Sequence, residues 1–262
     1  MSAERLLAVF AHPDDESLAA GGTLAACADR GVEVAVVCLT RGEAGVIAGP
    51  EIATREPLAS VRERELRAAC DALGVAAVEC LGYRDGWLSA HDHATVRNEI
   101  KDAVRRWRPA TIVTFGRDGF YDHPDHIAVY AYVTGALDAL REDGIRPAVY
   151  YATWPRGLMA ELLASVAARG CDVDLWGIDP KGFGVAVEPI TTVVDVRAYL
   201  RRKLTAISSH RSQLPDGHLF RALDAELSET YLGYEYFHRA RPANGEPDWL
   251  ADVVASAAGA RA

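Results

Sequence analysis

The chain is short of positive charge. Its 262 residues hold 28 Lys and Arg against 37 Asp and Glu, a formal net charge of −9. A nucleic-acid partner calls for a basic face that displaces counterions, so the balance argues against that role. There is no apolar run long enough to cross a bilayer, and no small-residue cleavage site precedes His12 in MSAERLLAVFAHPDD. Neither a membrane anchor nor a signal peptide is therefore expected. Cysteine is sparse: the five residues at 27, 38, 70, 80 and 171 form no CxxC pair, and most sit in apolar runs. They read as small buried hydrophobes in a reducing compartment, and a cytoplasmic protein is expected. A glycine-rich phosphate loop is also missing, because Gly21-Gly22 follows an acidic cluster that would repel phosphate. With no repeat, low-complexity tract or linker, residues 1–262 are expected to form a single domain.

What is present is an alternation of strand and helix patterns. Apolar, β-branched runs at Arg5–Phe10, Val32–Thr40, Val75–Leu81 and Thr111–Phe115 suit strands covered on both faces. Helical patterns lie at roughly 16–30, 57–73, 93–107 and 124–141, with Gly31 and Gly74 where C-terminal caps belong and Pro109 stopping the third. This order predicts an α/β fold: a Rossmann-like, mostly parallel sheet with helices on both faces. After residue 150 the pattern loosens into strands at Ala148–Trp154 and Val185–Val196 and helices near 157–169 and 197–209. This smaller C-terminal part, about 150–240, is expected to complete a substrate pocket, and the aromatic YLGYEYFHRAR to close the sheet or wall the site. The tail beyond Arg241 reads as a loosely docked helix.

Polar clusters follow the strands directly: HPDDE, TRGE, YRDG and GRDGFYDHPDH. Ligands of open parallel sheets bind beyond the carboxyl ends of the strands, so the clusters should converge on one rim. Asp14, Asp15 and Glu16 alone would be explained as acids opposing a helix dipole. That does not explain His12 in the same corner, or a second corner at His123-Pro124-Asp125-His126. There Pro124 suits the first helical position, and the apolar stripe Val129, Val133, Ala136, Leu140 projects back onto His126, aiming it at the sheet. Two imidazoles and a carboxylate, His12, Asp15 and His126, make a catalytic zinc-type set with positions left open. Such a metal acidifies water and polarises a carbonyl. Asp14 is then available as general base, while His123 could stabilise an oxyanion or protonate a leaving amine. Asp125 is expected to orient His123, and Tyr121 to add a donor to the oxyanion.

AHPDDE at 11–16 with HPDH at 123–126 closely resembles the LmbE-like or PIG-L-like N-acetylglucosaminyl deacetylases. TRGEAG at 40–45, the ELRAA stretch after Arg62 and LGYRDG at 81–86 follow in the family's order, and SHRSQ at 209–213 matches more loosely. The resemblance spans roughly residues 5–240. It implies a Rossmann-like fold and hydrolysis of an N-acetyl or related N-acyl group on an amino sugar. By motif position it makes His12, Asp15 and His126 the ligands of one divalent metal, Asp14 the base and His123 the acid. Zinc is the first expectation, and ferrous iron shares the ligand type. One departure stands out: family members often carry glycine before HPDH, where this chain has Asp122, which is expected to cap the helix or to raise the pKa of His123.

Arg41, Glu43, Arg62 and Asp85 are candidates for holding sugar hydroxyls, although Arg62 in VRERELR also fits an ordinary helix ion pair. Trp87 and the aromatics around Tyr234 are either a wall of the site or core packing, the second being the plainer explanation. The expected partner is thus a small N-acyl amino sugar or glycoside. Two alternatives stay open: a metal-dependent amidase of a non-acetyl, thiol-conjugate amide, and a non-catalytic sugar- or nucleotide-binding module.

Overall fold

The computed structural model describes residues 4–184, 189–241 and 248–258. Continuous apolar runs become the strands β1 (Arg5–Phe10), β2 (Glu33–Thr40), β3 (Ala77–Tyr83), β4 (Thr111–Phe115) and β5 (Ala148–Thr153). All five run parallel, in the order β3-β2-β1-β4-β5. Leu6 to Ala11 are at most 1% exposed, as expected of a central strand covered on both faces.

Helices α1 (Asp15–Asp29) and α2 (Leu58–Leu73) pack with α7 (Leu200–Ser209), while α3 (His93–Trp107) packs with α5 (Pro124–Leu140). Gly31 and Gly74 take positive φ after α1 and α2, the left-handed stop expected of C-terminal glycines. Between β4 and α5 lies a single distorted turn, α4 (Gly119–Asp122).

The C-terminal part adds α6 (Leu158–Ala167), β6 (Thr192–Asp195), α8 (Ala225–Leu232), β7 (Tyr234–Arg241) and α9 (Trp249–Ala258). The aromatic segment closes the sheet: β7 runs antiparallel between β5 and β6, completing seven strands in the order β3-β2-β1-β4-β5-β7-β6. Of the strand expected at Val185–Val196, residues 192–195 are strand and residues 185–188 lie outside the described residues. Glu235 of β7 is buried and accepts the amides of Gly22 and Thr23 at 2.8 Å each, together with Lys203 Nζ at 2.7 Å. A buried carboxylate needs such partners. They tie the last strand to the middle of α1, the helix whose first turn carries the acidic cluster.

Candidate metal centre and active site

The first corner forms where β1 runs out of sheet. Ala11 O accepts from Thr40 N at 2.9 Å, holding the strand end, and the chain then turns at His12-Pro13. Asp14 takes φ 118°, a left-handed conformation that costs a non-glycine residue energy and must be held by its surroundings. The holder is Glu16: its Oε2 accepts Asp14 N at 3.0 Å and its Oε1 meets His210 Nε2 at 2.8 Å, both side chains being buried. Asp15 Oδ2 accepts the amides of Ala11 and His12, which leaves Oδ1 facing the second corner.

The second corner follows β4. Gly119 has φ 58°, and a Cβ there would stand 2.8 Å from Ile127 Cγ1, so only glycine fits. Its carbonyl accepts His126 Nδ1 at 3.0 Å, and the Phe115 ring stacks on the imidazole at 3.8 Å. His126 is fully buried and therefore locked. His123 begins α5, its Nδ1 accepting from Asp125 N at 3.2 Å, so its hydrogen sits on Nε2.

The corners meet at His12. Its Nδ1 lies 3.2 Å from His126 Nε2 and 3.6 Å from Asp15 Oδ2, and His126 Nε2 lies 3.2 Å from Asp15 Oδ1. The outer nitrogens are already engaged: His126 Nδ1 by Gly119 O, and His12 Nε2 by Asp85 Oδ1 at 3.1 Å and Asp125 Oδ2 at 3.3 Å. With hydrogens on those outer atoms, the inner nitrogens meet beside a carboxylate, a conflict unless a proton or another cation sits between them. A shared cation relieves that conflict, and outer-shell carboxylates on metal-ligating histidines have this form. The spacing fits as well, because ligand atoms about 2.0–2.1 Å from a tetrahedral cation stand roughly 3.3 Å apart. Among the described residues two groups offer one donor atom each within 4.8 Å of one another, His12, His123 and His126, and His12, Asp85 and Asp125; Asp15 is in neither, its Oδ2 standing nearer His12 and its Oδ1 nearer His126. The second is spent on His12 Nε2 and on the amides of Ala44, Gly86 and Leu88. In the first, His123 turns one nitrogen to the backbone.

The electrostatics agree. Burial alone would lower the His12 pKa, but Asp125, Asp15 and Asp85 raise it well above the usual value. Burial would raise Asp15, but His126 and His12 hold it well below the carboxylate range. The cluster favours added positive charge. Asp85 falls to about 2, the His12 contacts outweighing its burial. Burial lifts Asp14 to about 6 despite Arg62, and burial with His126 and His12 pushes His123 down to about 4. Tyr121 is driven upward by burial, so its phenol keeps its proton.

Several sequence expectations change here. Asp125 does not direct its carboxylate to His123; the two oxygens accept Gly86 N and Leu88 N and reach His12, because the third strand's loop supplies better donors. Asp85 lines the cavity, as expected of a pocket residue, while its oxygens also meet His12 and Ala44 N. Arg41 is half-exposed and paired with Glu63, while Glu43 accepts Asp85 N and braces that loop. Arg62 does reach the site: it is 3% exposed and binds Gly42 O, Pro13 O and Asp14 Oδ2. A Cβ at Gly42 would lie 2.4 Å from its guanidinium. Asp122 is exposed at φ 62°, a conformation that suits glycine; His123 caps α5 in its stead, and His123 is shifted down, not up. Trp87 is 53% exposed under Arg84, and Tyr234 packs with Arg197.

A cavity of about 340 Å³ opens over the cluster, lined by His12, Asp14, Asp15, Arg62, Tyr121 and His123. Its far side is aromatic and comes from residues 154–220, including Trp154, Trp176, Phe183 and Phe220. The sequence leads one to expect the C-terminal part in the pocket, but it singles out neither these individual rings nor the Glu16–His210 pair. The glutamate of AHPDDE and the histidine of SHRSQ were the available signal for the pair; the wall residues share no periodicity.

The family model described as GlcNAc-PI de-N-acetylase (PIG-L) matches residues 7–137. A 1D-myo-inositol 2-acetamido-2-deoxy-alpha-D-glucopyranoside deacetylase of Geodermatophilus obscurus is 34% identical, the match covering 97% of this chain and 98% of that one. Among solved structures, the N,N'-diacetylchitobiose deacetylase of Pyrococcus horikoshii is 23% identical, with a TM-score of 0.60 over 91% of this chain and 83% of that one. The 4-carboxy-2-hydroxymuconate hydratase GalB of Pseudomonas putida is 20% identical, with a TM-score of 0.66 over 93% and 99%. At such identities the two structures speak for the fold alone, and the activities they are named for differ.

Proposed function

Because the chain belongs to the PIG-L (GlcNAc-PI de-N-acetylase) family, we propose that it is a metal-dependent hydrolase removing the N-acetyl group from a small amino-sugar-containing molecule. The observation that carries this reading is the pair of inner nitrogens, His12 Nδ1 and His126 Nε2, facing each other at 3.2 Å with Asp15 Oδ1 beside them. His12, Asp15 and His126 would hold one divalent cation, zinc by ligand type, with ferrous iron competing by availability. When bound, that cation supplies a Lewis acid that acidifies water and polarises the amide carbonyl.

The remaining work falls to the chain's own groups. Asp14, one oxygen fixed by Arg62 at 2.8 Å, takes the proton of the attacking water and returns it to the amide nitrogen, so that the C–N bond breaks to acetate and a neutral amine. His123 offers Nε2–H to the developing oxyanion as a neutral donor, and the Tyr121 phenol adds a second. Neutrality is no handicap there, since an oxyanion site needs a hydrogen-bond donor and not a full charge. Asp85 and Asp125 hold His12 in the tautomer that presents Nδ1. Arg62 acts on Asp14; Arg41 and Glu43 act at most through the loops they brace.

We place the protein in the cytoplasm. Support comes from the absence of any described helix long and apolar enough to cross a membrane and from buried free thiols at Cys27, Cys38 and Cys70. The acidic balance leaves nucleic acid aside as a partner. The continuous sheet supports a single domain in which the C-terminal part completes the pocket. The test is to purify the protein, quantify bound metal, and follow amine release from N-acetyl amino sugars with and without chelator. Amine release that needs no metal and survives Asp14→Asn would overturn the reading.

A further inference from the structure

Asp14 does its work from a strained backbone. Its φ of 118° lies in a region that a residue with a side chain occupies only when its surroundings hold it there. Two restraints do so, and they act on different atoms. Arg62 binds the carboxylate at Oδ2 and the carbonyl of Pro13. The peptide itself is held through Asp14 N, which donates to Glu16 Oε2 at 3.0 Å. Glu16 can serve only while its own carboxylate stays inside, and it is wholly buried, so it needs partners in turn. Both partners meet Oε1: the hydroxyl of Ser17, and His210 Nε2 at 2.8 Å. Ser17 is the next residue of the same helical turn and moves with Glu16. His210 does not, because it arrives from the end of α7.

The residues after His210 are pinned in their turn. Ser212 N and Oγ donate to Glu65 of α2 at 2.8 and 2.6 Å, Ser212 O accepts Ala48 N at 2.8 Å, and Gln213 Nε2 donates to Val46 O at 3.1 Å. The imidazole is 2% exposed, and its Nδ1 has no hydrogen-bond partner. Its polar contacts are thus directed through Nε2 at Glu16 and the neighbouring Ser17 hydroxyl. Facing a carboxylate, Nε2 carries the hydrogen. We propose that His210 is a positioning residue for the base: through Glu16 it keeps the Asp14 peptide in the left-handed conformation that its carboxylate needs to meet Arg62 at the cavity floor. The proposal rests on the deacetylase reading for what Asp14 does, but not for how Asp14 is held.

Two substitutions separate the contact of the ring from its bulk. His210→Gln carries an amide nitrogen to the place of Nε2, whereas His210→Asn carries one only as far as Nδ1, where no partner stands. In the metal-loaded protein His210→Asn is expected to lose about 10- to 100-fold in kcat, the scale of a misplaced reacting group, with KM and metal content unchanged. His210→Gln should recover most of that loss. Added to Asp14→Asn, His210→Asn should cost nothing further, because residues that act as a unit are not additive. An undiminished kcat in His210→Asn, or its full loss repeated on top of Asp14→Asn, overturns the proposal. Hydrogen exchange of the Asp14 amide, followed by NMR, gives a measure apart from turnover. It should quicken about tenfold or more in His210→Asn and stay slow in His210→Gln. Glu16→Asp, too short to span Asp14 N and His210, should show the same two effects and serves if His210→Asn does not fold; wild-type kcat and exchange in it overturn the proposal. If the wild-type protein releases no amine while His210→Asn still frees the Asp14 amide, the chemistry proposed above fails and the positioning stands.

Discussion

The floor and the wall of the cavity are built on opposite principles. On the floor the side chains have assigned partners: both outer histidine nitrogens are engaged, Asp15 is held by two amides, and Asp14 is fixed by Arg62 and Glu16. On the wall Trp154, Phe183 and Phe220 offer faces, and Trp176 Nε1 and Gln213 Nε2 are turned to the backbone and to Ser212. The lesson is a division of labour. Fixed hydrogen bonds at the ends of parallel strands hold the clustered side chains, while an irregular segment from elsewhere in the chain supplies the apolar faces of the cavity.

The sharpest way to break that comparison is within the floor. His126→Ala should lose the metal and, with it, at least about a thousandfold in turnover, checked by elemental analysis beside the assay. His123→Ala should keep the metal and lose roughly a hundred- to a thousandfold, the worth of an oxyanion donor. The reverse metal result would exchange the two histidines. Asp14→Asn should retain metal and lose about 10²–10⁴-fold in kcat, as for a general base.

A smaller effect sharpens the outer shell. Asp125→Ala should weaken metal affinity about ten- to a hundredfold in a chelator competition, because His12 loses a partner at Nε2. Unchanged affinity would mean that Asp85 alone orients the ring.

An effect on stability alone, with none expected on turnover, belongs behind the wall. His218 is buried, packs against Trp176 at 4.4 Å and caps Phe220 N through Nδ1. Burial lowers its pKa to about 4, with Asp174 opposing and Arg221 assisting. The folded protein therefore binds this proton less readily than the unfolded chain, whose histidine titrates near 6.5. Its contribution is complete above that value and is lost as pH falls through the folded pKa, up to about 3 kcal/mol. His218→Asn, which keeps a cap acceptor, should reduce the acid loss of stability between pH 6.5 and 4 in denaturant titrations. A wild-type slope in the variant would remove His218 from the account.

Much of the scaffold was legible because burial leaves a direct mark on sequence. Arg5–Phe10 and Thr111–Phe115 are continuous apolar runs, and both are strands with the expected bounds. The stripe from Val129 to Leu140 pointed His126 inward, and His126 is fully buried. The partners were less legible. Asp85 and Asp125 stand at the ends of different elements, and nothing in their neighbours says that both turn to one imidazole rather than to solvent or to His123.

By itself the sequence determined the alternation of elements, the parallel core and the two histidine–aspartate corners at strand ends. Those follow from periodicity and chain order, which act over a few residues. The tertiary structure alone decided which nitrogen of each histidine faces inward, that Glu16 and His210 hold Asp14, and that rings from residues 154–220 wall the cavity. These depend on which distant atoms satisfy which hydrogen bonds and, for His210 and the rings, on a C-terminal part that joins the sheet through the pairing of β7 with β5.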